Sequence, residues 1–305
     1  MPEIITNKTG MSRCWVDAAI NDDYSKGDAD YSVTGVLAPA QVVALCSRHE
    51  YKVDVTEMVW SILGNAVHSL LERMGGQEKG VFNEQRHFYK IKVGDKTFVV
   101  SGAVDRCEPT DEGYHLKDFK ISKVWTAKHG LKDEWKHQTN IYRLFVEKKG
   151  LKVNQISIEM LCKDWEIRDL MIARKKGDYY PENQVHVFDV PFMTNDEVDA
   201  LLRERIEIHE AVKVLPDSQL PECSEEERWC RDSRYIVRKE TSDRALPKAG
   251  NFDSMAEAEE WRTNRKDKGE GCVAEFRQGT SVRCERFCHV SHLCHQYRTK
   301  INPKF

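Results

Sequence analysis

The stretch Ser101–Ser122, SGAVDRCEPTDEGYHLKDFKIS, limits what this chain can fold into more than any other. It reads as two strands joined by the polar turn Thr110–Gly113. The first strand brings up Asp105, the second Asp118, Phe119 and Lys120. Residues two apart on a strand share a face. Asp118 and Lys120 are therefore expected to point the same way, and Phe119 to turn into the core. An acid on one strand, then acid-x-Lys on the next, suits metal-dependent phosphodiester cleavage. Paired carboxylates match Mg²⁺ or Mn²⁺, which prefer oxygen ligands. A lysine adds a compact positive charge for the transition state. A hairpin with solvated charges fits the same residues taken alone, so the surrounding chain has to decide.

Upstream, Leu37–Arg48 reads as a helix with Pro39 near its first turn. Its Val42, Val43, Leu45 and Cys46 are expected mostly to face the core, and a second helix, Thr56–Met74, carries Met58, Val59, Ile62, Leu63, Val67, Leu70 and Leu71 at helical spacing. Gly64 within it costs roughly 1 kcal/mol against Ala and is expected to mark close packing against a neighbour or a ligand. His68, one turn later on the same face, reads either as a half-buried histidine or as a metal ligand. Glu84 either joins the site or is solvated.

Strand His87–Val93 is expected to pair with Lys96–Arg106 across Gly94-Asp95, and Tyr114–Ser122 completes a three-stranded meander. A helix over Asp133–Lys148 places Gln138 and Tyr142 on one face. Val153–Cys162 and Val185–Val190 read as further strands. Thr194-x-x-Glu197 is a capping box that opens a long helix ending near Leu215-Pro216. Lys117, Lys120, Lys123, Lys128, Lys132, Lys136 and Arg143 make the middle of the chain locally basic. They form either a solvated face or a phosphate cradle, with Trp125 and Trp135 able to stack on bases.

The chain has 305 residues, 40% hydrophobic and 32% charged, with a net charge of −3. Any attraction for nucleic acid must then be local. No apolar run is long enough to span a bilayer, and the first residues lack a signal-peptide core. The expected location is intracellular, in the cytoplasm. Three parts are expected: a loose arm over 1–33, a core over 34–215, and a cysteine-rich appendage over 216–305 packing on that core. In the last, Tyr235–Lys239 reads as a strand, Ser254-x-x-Glu257 caps a helix, and Arg262–Lys268 reads as a surface loop. Ten cysteines are many for a reducing compartment, and Cys284-x3-Cys288-x5-Cys294 suggests metal. The charged segment after Pro216 is short of apolar residues and needs such a staple.

In this order, Gly64-Asn65-Ala66-Val67-His68, Asp105, Asp118-Phe119-Lys120, Gln138-x3-Tyr142 and the cysteine tail resemble the PD-(D/E)XK nuclease superfamily, in particular its RecB-like branch of phage exonucleases and CRISPR-associated nucleases. The resemblance covers about Thr34 to Cys294. It implies an α/β (α+β) fold like that of restriction endonucleases: a mixed central sheet flanked by helices, with a metal-stapled cysteine-rich appendage. It also implies that His68, Asp105, Asp118 and the Phe119 carbonyl hold Mg²⁺ or Mn²⁺, and that Lys120 is catalytic. Gln138 and Tyr142 contact DNA or support the site. Two departures stand out: Val104 replaces the family's proline, and the tail cysteines are spaced x3 then x5 where many relatives show x2 then x5.

In that branch such cysteines often hold a [4Fe–4S] cluster, here Cys223, Cys284, Cys288 and Cys294. Cys272, Cys46 or Cys14 are the other choices for the fourth ligand. Zinc held by four thiolates, or by three with His289, His292 or His295, is the alternative. The implied activity is a metal-dependent DNA exonuclease of recombination, repair or DNA degradation. The alternatives are a structure-specific endonuclease, a CRISPR-adaptation nuclease, or a catalytically dead DNA-binding subunit. DNA is the expected partner, with self-association or a recombination protein left open.

Overall fold

Alternation of apolar and polar residues over 82–122 builds the strands that carry the site. The computed structural model describes residues 3–21, 26–75, 78–265 and 269–303. The chain divides into two compact units, Met1–Leu215 and Pro216–Phe305.

The first unit runs β1 (Glu3–Thr6), α1 (Arg13–Ile20), β2 (Tyr31–Ser32), α2 (Val33–Leu37), α3 (Ala40–Arg48), β3 (Tyr51–Asp54), α4 (Val55–Gly75), β4 (Phe82–Val93), β5 (Lys96–Thr110) and β6 (Gly113–Ser122). It continues with α5 (Val124–His129), α6 (Asp133–Glu147), β7 (Val153–Cys162), α7 (Ile167–Lys176), β8 (Val185–Asp189) and α8 (Asn195–Val212). It is a mixed α/β unit with a six-stranded sheet in the order β2-β5-β6-β7-β8, β4 pairing with β5. The β2–β5 and β6–β7 pairs are parallel and the rest antiparallel. Gly94, at a left-handed φ of 56°, makes the two-residue turn from β4 to β5. Helix α6 lays Ile141, Leu144, Phe145 and Val146 into the main core with Val100, Val104, Ile156 and Ile158 of the sheet. The Thr194/Glu197 capping box opens α8 as its sequence requires.

Within the expected loose arm over 1–33, the described residues form β1, α1 and β2. β1 pairs in parallel with β3, and Asp54 ties the pair together. Its carboxylate accepts hydrogen bonds from the Thr6 hydroxyl and the Lys8 N–H, both at 2.9 Å, and from the Thr56 hydroxyl at 2.8 Å. The Lys8 N–H, and then Thr56 and Thr6, hold this acid well below the usual carboxylate range.

Helix α4 departs further from expectation. Trp60, Leu63, Leu70, Leu71 and Met74 are exposed, and Val55 is its one buried hydrophobic residue. Its periodicity is helical, but no residue of α4 joins the main core. Gly64 has open space where a Cβ would stand, so among the described residues it serves no close packing. Phe119 is half-buried rather than a core residue, and its ring meets His68 edge-on.

The second unit contains β9 (Arg234–Lys239), α9 (Met255–Thr263), β10 (Cys272–Arg277) and α10 (Val282–Arg286). β9 and β10 pair antiparallel. Val237, Ala249, Ala258, Cys272 and Ala274 make a small core. Of the expected surface loop Arg262–Lys268, Arg262 and Thr263 belong to α9, and residues 266–268 lie outside the described residues. No helix among the described residues is long and apolar enough to cross a membrane.

Candidate functional site

The β5–β6 ladder stops at Arg106↔Lys117. One residue further along, Asp105 and Asp118 face each other where the strands part. The parting leaves the Phe119 N–H without a ladder partner, and Asp105 Oδ2 accepts it at 2.7 Å. On the other edge of β5, β4 pairs Asn83 with Arg106 and Gln85 with Val104. Glu84 stands between them, level with Asp105. Its φ of 47° is left-handed, a conformation that costs a non-glycine residue about 1–3 kcal/mol. Three acids thus stand side by side on three adjacent strands.

His68 reaches over this row from α4. Its Nδ1 lies 3.3 Å from Glu84 Oε1 and 3.6 Å from Asp105 Oδ2, and its Nε2 lies 3.1 Å from the Phe119 carbonyl oxygen. The hydrogen bond to Glu84 raises the His68 pKa most, against the effect of burial. Among the described residues, His68, Glu84 and Asp105 are the one group of three His, Cys, Asp or Glu with ligand atoms all within 4.8 Å of one another.

Asp118 is 1% exposed. Lys120 Nζ sits 2.8 Å from its Oδ2 as an ion pair, but neither carboxylate oxygen has a well-aligned hydrogen bond. Burial, and then the Asp118 charge, push Asp105 up to about 7. Burial works against the Lys120 charge, but Asp118 and Asp105 outweigh it and raise its pKa. Two buried carboxylates in mutual repulsion form a donor set that fits a divalent cation. The structure therefore brings His68, Asp105, Asp118, Phe119 and Lys120 into one place. It also adds Glu84, and Glu134 of α6, whose charge acts on Lys120.

Gln138 and Tyr142 are buried, and Gln138 Nε2 donates to the Tyr142 hydroxyl at 2.8 Å. The Tyr142 ring packs against Gly102 of β5. Trp135 is buried as well, which removes it as a surface for bases, whereas Trp125 is exposed.

In the second unit, Cys223, Cys284, Cys288 and Cys294 come together. Burial, then Glu227 and the other three thiols, push Cys223 up to about 12. Burial, then Cys288 and Cys294, push Cys284 up to about 11. Backbone N–H groups are aimed at the sulfurs: that of Tyr297 lies 3.4 Å from Cys294 Sγ, and that of Val290 favours the Cys288 thiolate. Gln296 clamps Cys223 by accepting from its N–H and donating to its carbonyl, each at 3.0 Å. Cys230 also lies close enough to act on Cys284, which its spacing in the sequence did not signal. Cys272 belongs to the small β9–β10 core, Cys46 to α3 and Cys14 to α1. Among the described residues no disulfide joins any of the ten cysteines.

No protein-family model matches the chain, and no curated protein matches it significantly. One solved structure, that of SSO0001, superposes with a TM-score of 0.43 and 14% identity, over 63% of this chain and 82% of its own. A likeness at that level carries no functional inference.

Proposed function

We propose that the chain is a metal-dependent DNA exonuclease of the PD-(D/E)XK superfamily, RecB-like branch, with its sheet arranged as in restriction endonucleases. The observation that carries this reading is the buried Asp118 carboxylate, level with Asp105 and paired with Lys120 at 2.8 Å. Asp105, Asp118, His68 and the Phe119 carbonyl would hold Mg²⁺ or Mn²⁺, with Glu84 orienting His68. Bound divalent metal supplies Lewis-acid chemistry at the scissile phosphate.

The chain's own part is positional and electrostatic. Asp105 holds β6 by the Phe119 N–H, which aims the Phe119 carbonyl and the Lys120 side chain together. Lys120, charged and held by Asp118, stabilises negative charge growing on the phosphate oxygens. Gln138 and Tyr142 keep α6 against the back of β5.

For the second unit, the reading is a structural [4Fe–4S] cluster on Cys223, Cys284, Cys288 and Cys294. Amides aimed at sulfur suit such clusters.

The test is digestion of end-labelled linear DNA and closed circular DNA with Mg²⁺ and with Mn²⁺. Loss of the linear form alone is the expected result. Cutting of the circle would replace the exonuclease by an endonuclease, and inert behaviour toward both would remove the nuclease reading.

A further inference from the structure

Beyond the carboxylates, β6 runs into Lys123 and then α5. Trp125, in the first turn of α5, is 60% exposed. One face of its indole is covered by the His129 imidazole, stacked at 3.9 Å and 19°. His129 is itself pinned by an Nδ1 hydrogen bond of 2.7 Å to the Trp125 carbonyl. The platform is therefore rigid.

Next to it, the Lys163 N–H bonds the Ser122 carbonyl at 2.9 Å, which brings the two chain segments side by side. The Lys163 ammonium lies 3.4 Å from the ring centre of Trp60, an α4 residue that is 56% exposed. Burial, and then the charge of Lys123, lower the Lys163 pKa. Asp164 is also close, but its Oδ1 is engaged by the Val124 N–H at 2.7 Å. Lys123 is exposed and Lys163 half-buried, and the Asp164 charge only opposes the effect of Lys123 and burial on Lys163, so an anion such as a phosphate would relieve the repulsion between the two lysines.

The place is within reach of the candidate site. Lys123 follows Lys120 by three residues, about 10 Å along an extended chain. Trp60 precedes His68 by eight residues, about 12 Å along a helix. An exposed aromatic face beside paired ammonium groups suits a ligand that alternates flat bases with phosphates, and only an unpaired strand offers its base faces for stacking.

We propose that Trp125, backed by His129, is a stacking platform for a base of a single-stranded nucleic acid, with Lys123 and Lys163 holding its adjacent phosphates. The inference rests on the nuclease reading only for the class of ligand. A duplex end approaching the carboxylates would then have to be frayed, with its unpaired strand led across Trp125.

The experiment measures binding of a fluorescein-labelled oligo(dT) and of an abasic strand of the same length to the full chain in EDTA, so that no cleavage intervenes. Trp125→Ala should weaken oligo(dT) binding by about tenfold, as the loss of one stacked base does, and leave the abasic strand unaffected. Trp125→Phe should retain most of the affinity. Lys123→Gln and Lys163→Gln should weaken both strands alike and flatten the salt dependence. Equal affinity of wild type for the two strands, or an unchanged Trp125→Ala, overturns the platform. Unchanged binding in both lysine variants overturns the phosphate contacts. These outcomes are independent of digestion: a chain that binds as expected yet cuts nothing keeps the platform and loses the nuclease, and the reverse result does the opposite.

Discussion

Gly102 of β5 and Tyr142 of α6 meet so closely that a Cβ on Gly102 would stand 2.4 Å from the tyrosine ring and 2.9 Å from a Val33 methyl. The contact seats α6 against the sheet three residues before Asp105. It also fixes the hydroxyl that receives the Gln138 hydrogen bond. Neither ring nor methyl is the loose end of a flexible chain, since both residues are buried. Gly102→Ala should therefore destabilise the protein by about 1–3 kcal/mol, the usual cost of overpacking a core. Chemical denaturation measures it, and a variant as stable as wild type would show that the helix gives way freely.

The carboxylate row makes a prediction about metal that does not depend on catalysis. If Asp105 and Asp118 bind a divalent ion, Mn²⁺ should raise the melting temperature of the wild type. The gain is about 2.7 kcal/mol when the ion is at a hundred times its dissociation constant. Asp105→Asn and Asp118→Asn should lose this gain, and His68→Ala should reduce it. A variant of Asp118 that still melts higher with Mn²⁺ places the ion elsewhere.

In the proposed nuclease, Lys120 would supply charge at the transition state rather than bind metal. Lys120→Ala should lower the cleavage rate by about a hundredfold or more while keeping the Mn²⁺-induced rise in melting temperature. Loss of both together would make Lys120 a structural partner of Asp118, not a catalytic one.

Much of the site was legible because strand periodicity is strict. Asp118 and Lys120 share a face whatever surrounds them, and the Gly94-Asp95 turn sets the β4–β5 register. The level alignment of Glu84, Asp105 and Asp118 was not legible. It depends on where the β5–β6 ladder stops and on a left-handed residue in β4, both tertiary choices. Helix α4 shows the opposite failure. Its apolar period was read correctly as a helix but left its burial open, because a period says which residues share a face and not whether anything covers that face. Phe119 failed similarly: Asp118, the polar neighbour, took the buried side because the site lies inside the sheet's flank. The β1–β3 pairing escaped notice because its key residue, Asp54, acts through hydrogen bonds from residues far away in sequence.

Histidine burial predicts an acid limb in stability. His209 of α8 is buried, with Nε2 3.1 Å from the Val36 carbonyl, beside the Tyr31 ring. Burial chiefly, with help from the Arg205 and Lys213 charges, holds its pKa below the ordinary 6.5. The unfolded chain thus takes up a proton near pH 6.5 that the folded one refuses. Stability is complete above that pH and is lost as the pH falls from 6.5 toward the depressed folded value, by up to about 1.4 kcal/mol per unit. His209→Gln, whose amide still donates to Val36, should flatten that limb. His87, depressed likewise by burial and then by Lys149, should keep part of it. Equal slopes in wild type and variant across pH 5–6.5 would remove His209 from the account.

The last prediction concerns the cysteines of the second unit. Their thiols repel one another once ionised, and burial already raises Cys223 and Cys284. Without a cation they should remain protonated and contribute little. With one, they join residues up to 71 positions apart in a unit whose own apolar core is small, so metal binding becomes folding free energy. Protein purified without oxygen should be brown, with a broad visible absorption and about four irons per chain, as one [4Fe–4S] cluster requires. Cys223→Ala, Cys284→Ala, Cys288→Ala and Cys294→Ala should each lose the colour and lower the melting temperature. Cys272→Ala should keep the colour, since that thiol packs with Val237 and Ala258. Cys230→Ala tests the neighbour: retained iron leaves it a bystander, whereas lost iron together with retained iron in Cys223→Ala makes it the fourth ligand. A colourless preparation holding one zinc per chain would replace the cluster by a zinc knot.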